Sequence, residues 1–398
     1  MGNIILYGAF DRHNYGDLLF PIIMQRLFLK EFPEKKVVIA GLINTDLSIF
    51  GALPTVSIKD ALKNTNKHSA LILAGGDIIA CDWLSAYGYL LSPKFYSFFV
   101  RYICRFLPKA TERVIQKIVG LDLMMPFSPG KDELGRELKI IYNSVGATGL
   151  SNIENALKAK LSGSLKQADY ITVRDHFSDE QLGQLRIVSS GVYPDSATVM
   201  STVFSTDELN SNSNGNTLKL INKFNKNYIV FQISSSHCNG MEQDFAASLT
   251  VIAKKYDCPI LLLAIGNASG HGDSDGVNQI KSHLPVDIKV CEYLDGCVFD
   301  IMNIIKHAKC YCGTSLHGLI TSISFNVPRV GLLPKLRKQR NYMDTWDLDS
   351  MPRGVMPNDL VEAVEIAINI SREKLASVGD NSNDKYLESF NKICSLIK

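Results

Sequence analysis

A histidine stands where an anion would bind. In Cys310-Tyr-Cys-Gly-Thr-Ser-Leu-His-Gly-Leu319 an apolar strand over 309–313 turns into a helix that opens with Ser315, Leu316, His317 and Gly318. Leu316, Leu319, Ile320 and Ile323 recur at i, i+3, i+4 and i+7, the spacing of a buried helix face. His317 falls off that face, in the first turn. There, unpaired N–H groups and the positive end of the helix dipole attract negative charge. The pattern fits recognition of a phosphorylated or carboxylated substrate. It also fits a helix start with a solvated histidine.

Other residues with chemical potential gather at strand ends. Gly8-Ala-Phe-Asp-Arg-His-Asn-Tyr-Gly-Asp17 joins the first strand to the first helix. Gly16 admits a backbone close to a ligand, Asp17 suits either a helix cap or catalysis, and Asn14 has less structural reason to be there. The loop is neither GxGxxG nor a P-loop, so it carries no dinucleotide or ATP fingerprint. Gly75, Gly76 and Asp77 close the apolar run Leu71 to Ala74, where backbone amides meet a ligand or simply turn. Arg174 ends a buried-type strand, and its guanidinium cannot shed its proton. It needs an anion there, either a ligand or a structural carboxylate such as Asp175 or Asp195. Phe231-Gln-Ile-Ser-Ser-Ser-His237 ends a strand in hydroxyls, Ser234 among them. Lys335 follows another strand within reach of a phosphate, while the later charges up to Arg340 read as a solvated face. Gly270-His-Gly-Asp273 sets a histidine among acids, but its spacing matches no standard metal site, and no metal is expected.

Elements that deliver residues to strand ends in this way belong to a parallel α/β sheet. Strands read at 4–8, 36–41, 70–75, 140–147 and 170–174, and again at 228–233, 260–265, 286–291, 309–312 and 329–333. Helical patterns intervene at 17–31, 242–255, 277–283 and 297–307, and two more, 359–370 and 384–397, end the chain. This alternation predicts doubly wound α/β domains. The expected organisation is a first domain over 1–204, a Ser/Asn-rich linker over 205–227, a second domain over 228–356, and C-terminal helices over 357–398 that return to the first domain. Two such domains would face each other across a cleft, with ligands outside the carboxyl ends of the strands.

Composition narrows the classes. The chain has 398 residues, 46% hydrophobic and 21% charged, with a net charge of +2. That balance argues against a nucleic-acid partner held by bulk charge. The nine cysteines are scattered, with no CxxC pair, and read as reduced thiols of a cytoplasmic protein. No run reaches the roughly 18 apolar residues of a membrane span. The segment 95–117 is aromatic and apolar, interrupted by Arg101 and Arg105 and followed by Lys109, Arg113 and Lys117. It suits an anionic membrane face, or packing on its own domain with basic residues outward.

Taken in order, NYGD after the first strand, AGGD, VRD followed by Ser178 and Leu182, YPDSA, and SLHGL before NVP resemble the polysaccharide pyruvyltransferase family over roughly residues 3–345. The resemblance implies two Rossmann-like domains of the GT-B glycosyltransferase type. It also implies transfer of a pyruvyl group from phosphoenolpyruvate to a sugar of a cell-surface polysaccharide or its precursor, with a ketal as product and no cofactor beyond the donor. It implies a saccharide acceptor, lipid-linked or polymeric. Under it, His317 and Asp17 act as catalytic groups. Arg174, Ser315, Leu316, Lys335 and Ser234 hold the donor, and Asn14, Gly16, Gly75, Gly76 and Asp77 hold the acceptor. Many members carry arginine where this chain has Ser315, so another cation must supply that charge or the donor differs. The alternatives are a nucleotide-sugar glycosyltransferase and a non-catalytic glycan-binding relative.

Overall fold

The computed structural model describes residues 2–266 and 272–398. Among these the chain divides into two compact units, one of residues 2–196 and 385–398, the other of residues 197–266 and 272–384. Each is built on a parallel sheet whose strands are largely apolar, as expected when helices cover both faces. In the first unit these are β1 (Ile4–Tyr7), β2 (Val37–Gly41), β3 (Val56–Ser57), β4 (Ala70–Ala74), β5 (Lys139–Val145) and β6 (Tyr170–Val173), ordered β3-β2-β1-β4-β5-β6. The second has β7 (Ile229–Gln232), β8 (Ile260–Leu263), β9 (Val290–Tyr293), β10 (Cys310–Gly313) and β11 (Arg329–Gly331), ordered β11-β10-β7-β8-β9.

Counted from its own first strand, each sheet has the same doubly wound order, and the order reverses beside the first strand. That reversal lies between β1 and β4 in one unit and between β7 and β10 in the other. Both pairs end level: Tyr7 lies opposite Leu73, and Gln232 opposite Gly313. The loops leaving each pair therefore flank one crevice within their unit, the place where open α/β sheets bind ligands.

In the first unit, helix Tyr15–Glu31 buries Leu18, Leu19, Ile22 and Ile23 after β1. The end of the long helix Arg372–Ile397 packs there too: the rings of Phe28 and Phe390 lie 4.9 Å apart, and Asn143 Nδ2 donates to Tyr386 OH at 3.1 Å. A bulge in β5 shifts the register between Tyr142 and Val145, with Ser144 at φ +48°.

Three expectations need correction. The stretch 205–227 is not a bare linker but carries helices Thr206–Asn212 and Gly215–Lys223. Its serines and asparagines serve as caps, as in the reciprocal box of Ser205 and Glu208, while Leu209, Thr217 and Ile221 turn inward. The strand expected at 286–291 begins only at Val290, because Val286 lies in a turn and is fully exposed. Of the C-terminal stretch 357–398, only residues 385–398 return to the first unit: helix Leu360–Ile368 stays with the second, where Glu365 pairs with Lys255 at 2.9 Å.

Candidate active site

In the second unit the crevice is organised by a residue that the sequence reading passed over. Gln232 is buried at the end of β7. Its Oε1 accepts from the backbone N–H groups of Ser315 (2.8 Å) and Thr314 (2.9 Å), and from Tyr311 OH (3.2 Å). Its Nε2 donates to Asp273 Oδ2 at 2.8 Å, and that oxygen also accepts from Ile265 N and Gly266 N. One uncharged amide thus ties together the exits of β7, β10 and β8. A glutamine closing the otherwise apolar strand Ile229–Gln232 was the available signal.

Ser315 is the N-cap of helix Leu316–Ser324, in extended backbone, with its Oγ accepting from Gly318 N at 3.3 Å. The N–H groups of Thr314, Ser315 and Gly318 are therefore bonded within the protein. Gly318 has a packing reason: a Cβ there would lie 2.1 Å from Tyr311 OH. Leu316 and His317 are half-buried at the start of the helix, and Leu319, Ile320 and Ile323 are fully buried. Ser234, just past β7, lies with its Oγ 2.8 Å from His237 Nδ1. Lys335 is exposed beyond β11, after Leu333, whose φ of +63° turns the chain. Gln339 Nε2 donates to Gly313 O at 2.8 Å and brings the following helix to the same strand end. His271 and Gly270 lie outside the described residues.

In the first unit the crevice is charged. Asp11 and Arg12, also passed over, are both buried in the loop after β1. Asp11 Oδ2 accepts from Leu42 N (2.6 Å) and Ile43 N (3.2 Å), and Oδ1 lies 3.1 Å from Arg12 Nη2. Burial pulls the Arg12 guanidinium down, but Asp11 and then Asp17 outweigh it and raise it overall. Asn14, not Asp17, occupies the N-cap position, and Asn14 Nδ2 donates to Asp17 Oδ2 at 3.1 Å. Gly16 is buried in the first turn. Across the crevice, Gly75 takes φ +146°, a value glycine adopts readily, Gly76 O accepts from Gly146 N, and Asp77 Oδ1 accepts from Gly149 N at 3.3 Å.

Arg174 is buried within the first unit. It is 1% exposed, with Nε 3.6 Å from Asp175 Oδ2. A Cβ on Gly146 would lie 2.8 Å from its Nη2, and one on Gly76 3.4 Å from its Nη1. The guanidinium thus lies against the backbone of the glycine loops.

No curated protein matches the sequence. Among solved structures, the chain is similar to a putative UDP-N-acetylglucosamine 2-epimerase from Listeria monocytogenes, with TM-score 0.58, 10% identity, and coverage of 100% of this chain and 96% of that one. It is similar also to UDP-GlcNAc 2-epimerase from Neisseria meningitidis bound to UDP-GlcNAc, with TM-score 0.57, 11% identity, and coverage of 98% and 100%. At such identities the likeness concerns the fold, which is α/β with two Rossmann-like units of the GT-B type. Residues 14–335 match the family profile described as polysaccharide pyruvyl transferase, and on that match, which takes in both crevices, the chain belongs to the polysaccharide pyruvyl transferase family.

Proposed function

We propose that the protein transfers a pyruvyl group from phosphoenolpyruvate to a saccharide of a cell-surface polysaccharide or its precursor, closing a pyruvate ketal. The observation that carries this reading is the place of His317, at the exit of β10 beside the strand-order reversal of the second unit, in a chain of this family. Protonation of the donor's methylene carbon makes an oxocarbenium-like centre at the neighbouring carbon. One sugar hydroxyl attacks that centre and loses its proton. The C–O bond to phosphate then breaks, and a second hydroxyl adds and loses its proton in turn. One of these two protons restores the acid and the other leaves with phosphate. A ring whose nitrogens can both give and take a proton suits this shuttle, which favours His317.

Ser315, Leu316, Ser234 and Lys335 stand at strand exits of the same unit and hold the anionic donor in this reading, with Lys335 as the cation in place of an arginine at position 315. Asp17, Asn14, Gly16, Gly75, Gly76 and Asp77 line the crevice of the first unit and take the acceptor, with Asp17 orienting a hydroxyl. The protein then works in the cytoplasm on a lipid-linked or polymeric saccharide. The test is incubation with phosphoenolpyruvate and candidate glycans, with phosphate release assayed and the ketal methyl group followed by NMR. Both signals together are expected. The Neisseria structure is bound to UDP-GlcNAc, so that sugar nucleotide is the control donor. Its turnover in place of phosphoenolpyruvate would replace this reading with a glycosyltransferase.

A further inference from the structure

We propose that residues 92–119 of the first unit form a docking surface for an anionic lipid bilayer. Of the sixteen large hydrophobic residues exposed among the described residues, eight lie in this segment: Phe95, Phe98, Val100, Tyr102, Phe106, Leu107, Val114 and Ile118. Phe106 is 69% exposed and Leu107 62%. The same stretch holds six cations, Lys94, Arg101, Arg105, Lys109, Arg113 and Lys117, all exposed, against one carboxylate, Glu112. Apolar and basic residues run side by side. On helix Pro108–Val119, Val114 and Ile118 form one stripe and Arg113 and Lys117 the next.

The surface is held firmly. Phe99, Ile115 and Val119 are buried in the core of the unit, and Trp83 Nε1 and Gln116 Nε2 both donate to Leu123 O, at 2.7 and 3.0 Å. The exposed side chains are thus the outer face of a packed element. Aromatic and aliphatic groups interleaved with lysine and arginine match the boundary of an anionic leaflet, where rings enter the interface and cations meet headgroups. No described helix is long and apolar enough to cross a membrane, so contact would be at the surface. The proposal does not depend on which reaction the protein performs.

The full chain is sedimented with vesicles of phosphatidylcholine alone and with equal parts phosphatidylcholine and phosphatidylglycerol, without saccharide or donor. Binding to the anionic vesicles, weakened by salt, is expected. Arg101→Gln with Arg105→Gln should lower partitioning about 30-fold, at about 1 kcal/mol per cation. Phe106→Ser with Leu107→Ser should lower it roughly tenfold or more without any change of charge. Lys67→Gln with Lys160→Gln, elsewhere on the surface, should leave it unchanged. Thermal melts confirm that each variant is folded. Wild-type protein left in the supernatant with both vesicles overturns the proposal, as does an equal loss in the Lys67 and Lys160 variant. So does a wild-type dimer in light scattering that becomes monomeric in the Phe106 and Leu107 variant, since that outcome assigns the face to a second copy.

Discussion

The two units share a strand order, yet their strand-order reversals are held together by different physics. In the first, the loop after β1 is fixed by a buried carboxylate, Asp11, which accepts two backbone N–H groups and pairs with Arg12, while Arg174 and Asp175 lie behind the glycine loops. In the second, Gln232 joins three strand exits without any formal charge of its own. Charges taken up by internal partners hold a loop still. They add little to the field that a ligand feels. The second unit keeps its histidine and an exposed lysine, His317 and Lys335, at the loops themselves. In the proposed reading the chemistry falls to the second unit, whose clamp sets a neutral amide against the Asp273 carboxylate where the first sets an arginine against Asp11.

The largest expected effect tests that division. His317→Ala should lower pyruvyl transfer by about 10²–10⁴-fold, the usual contribution of a positioned acid or base, while circular dichroism and melting temperature stay near wild type. Turnover close to wild type in a folded variant would take the chemistry out of the second unit and send the search to Asp17.

Next come the two clamps. Asp11→Ala leaves the Arg12 guanidinium buried without its carboxylate and two backbone donors without their acceptor. A cost of about 3–5 kcal/mol in unfolding free energy is expected. Gln232→Ala removes a neutral group, but it strands Ser315 N and one hydrogen bond of Asp273, while Thr314 N keeps the backbone carbonyl of residue 232. About 2–3 kcal/mol is expected, since each unsatisfied group costs about 1–3 kcal/mol and part of the loop can rehydrate. Denaturant melts of the two variants measure both. If Gln232→Ala proved the costlier, the contrast between a charged and a neutral clamp would fail.

The sequence made the strands easy to find and the clamps hard. Runs such as Ala70–Ala74 and Ile260–Leu263 are apolar at every position, because both faces of a parallel sheet are covered, and such runs stand out locally. Some helix starts were legible within about two residues, with Asn14 in the position first given to Asp17, but the helices read from 277 and 384 begin earlier, at Asp273 and Arg372. The clamps depend on partners far along the chain: Gln232 meets Ser315 across 83 residues, and Asp11 meets Leu42 across 31. No local spacing encodes such meetings. Arg174 shows the same limit in another form. Its strand-end position demanded an anion, and only the packing brings Asp175 Oδ2 within 3.6 Å of its Nε. The helices at 206–212 and 215–223 were hidden because their inward residues are few and their polar faces read as linker.

The smallest expected effect asks whether the two units also differ in their response to acid. His307 caps helix Val298–Lys306 in the second unit, with Nδ1 3.0 Å from Asn303 O. Burial lowers its pKa below 6.5. The Asn303 carbonyl opposes that shift, while Lys226 and Lys306 add to it. The fold therefore favours neutral imidazole. Its contribution is complete above the unfolded value of about 6.5 and is lost as pH falls through that value towards the lower folded one. Glu388 in the first unit is held down to about 2 by hydrogen bonds from Lys392, Lys385 and Tyr193, below its ordinary 4.5. Its contribution is complete above about 4.5 and fades only between there and about 2. Hydrogen exchange resolved by peptide, measured in steps of falling pH, should show protection weakening in the second unit first, from near pH 6.5. His307→Gln should flatten that early slope and leave the first unit untouched, while Glu388→Gln should flatten only the later one. Simultaneous loss of protection in both units at a single pH would mean that they respond to acid as one cooperative body, and the chemical difference between their crevices would then have no counterpart in their stability.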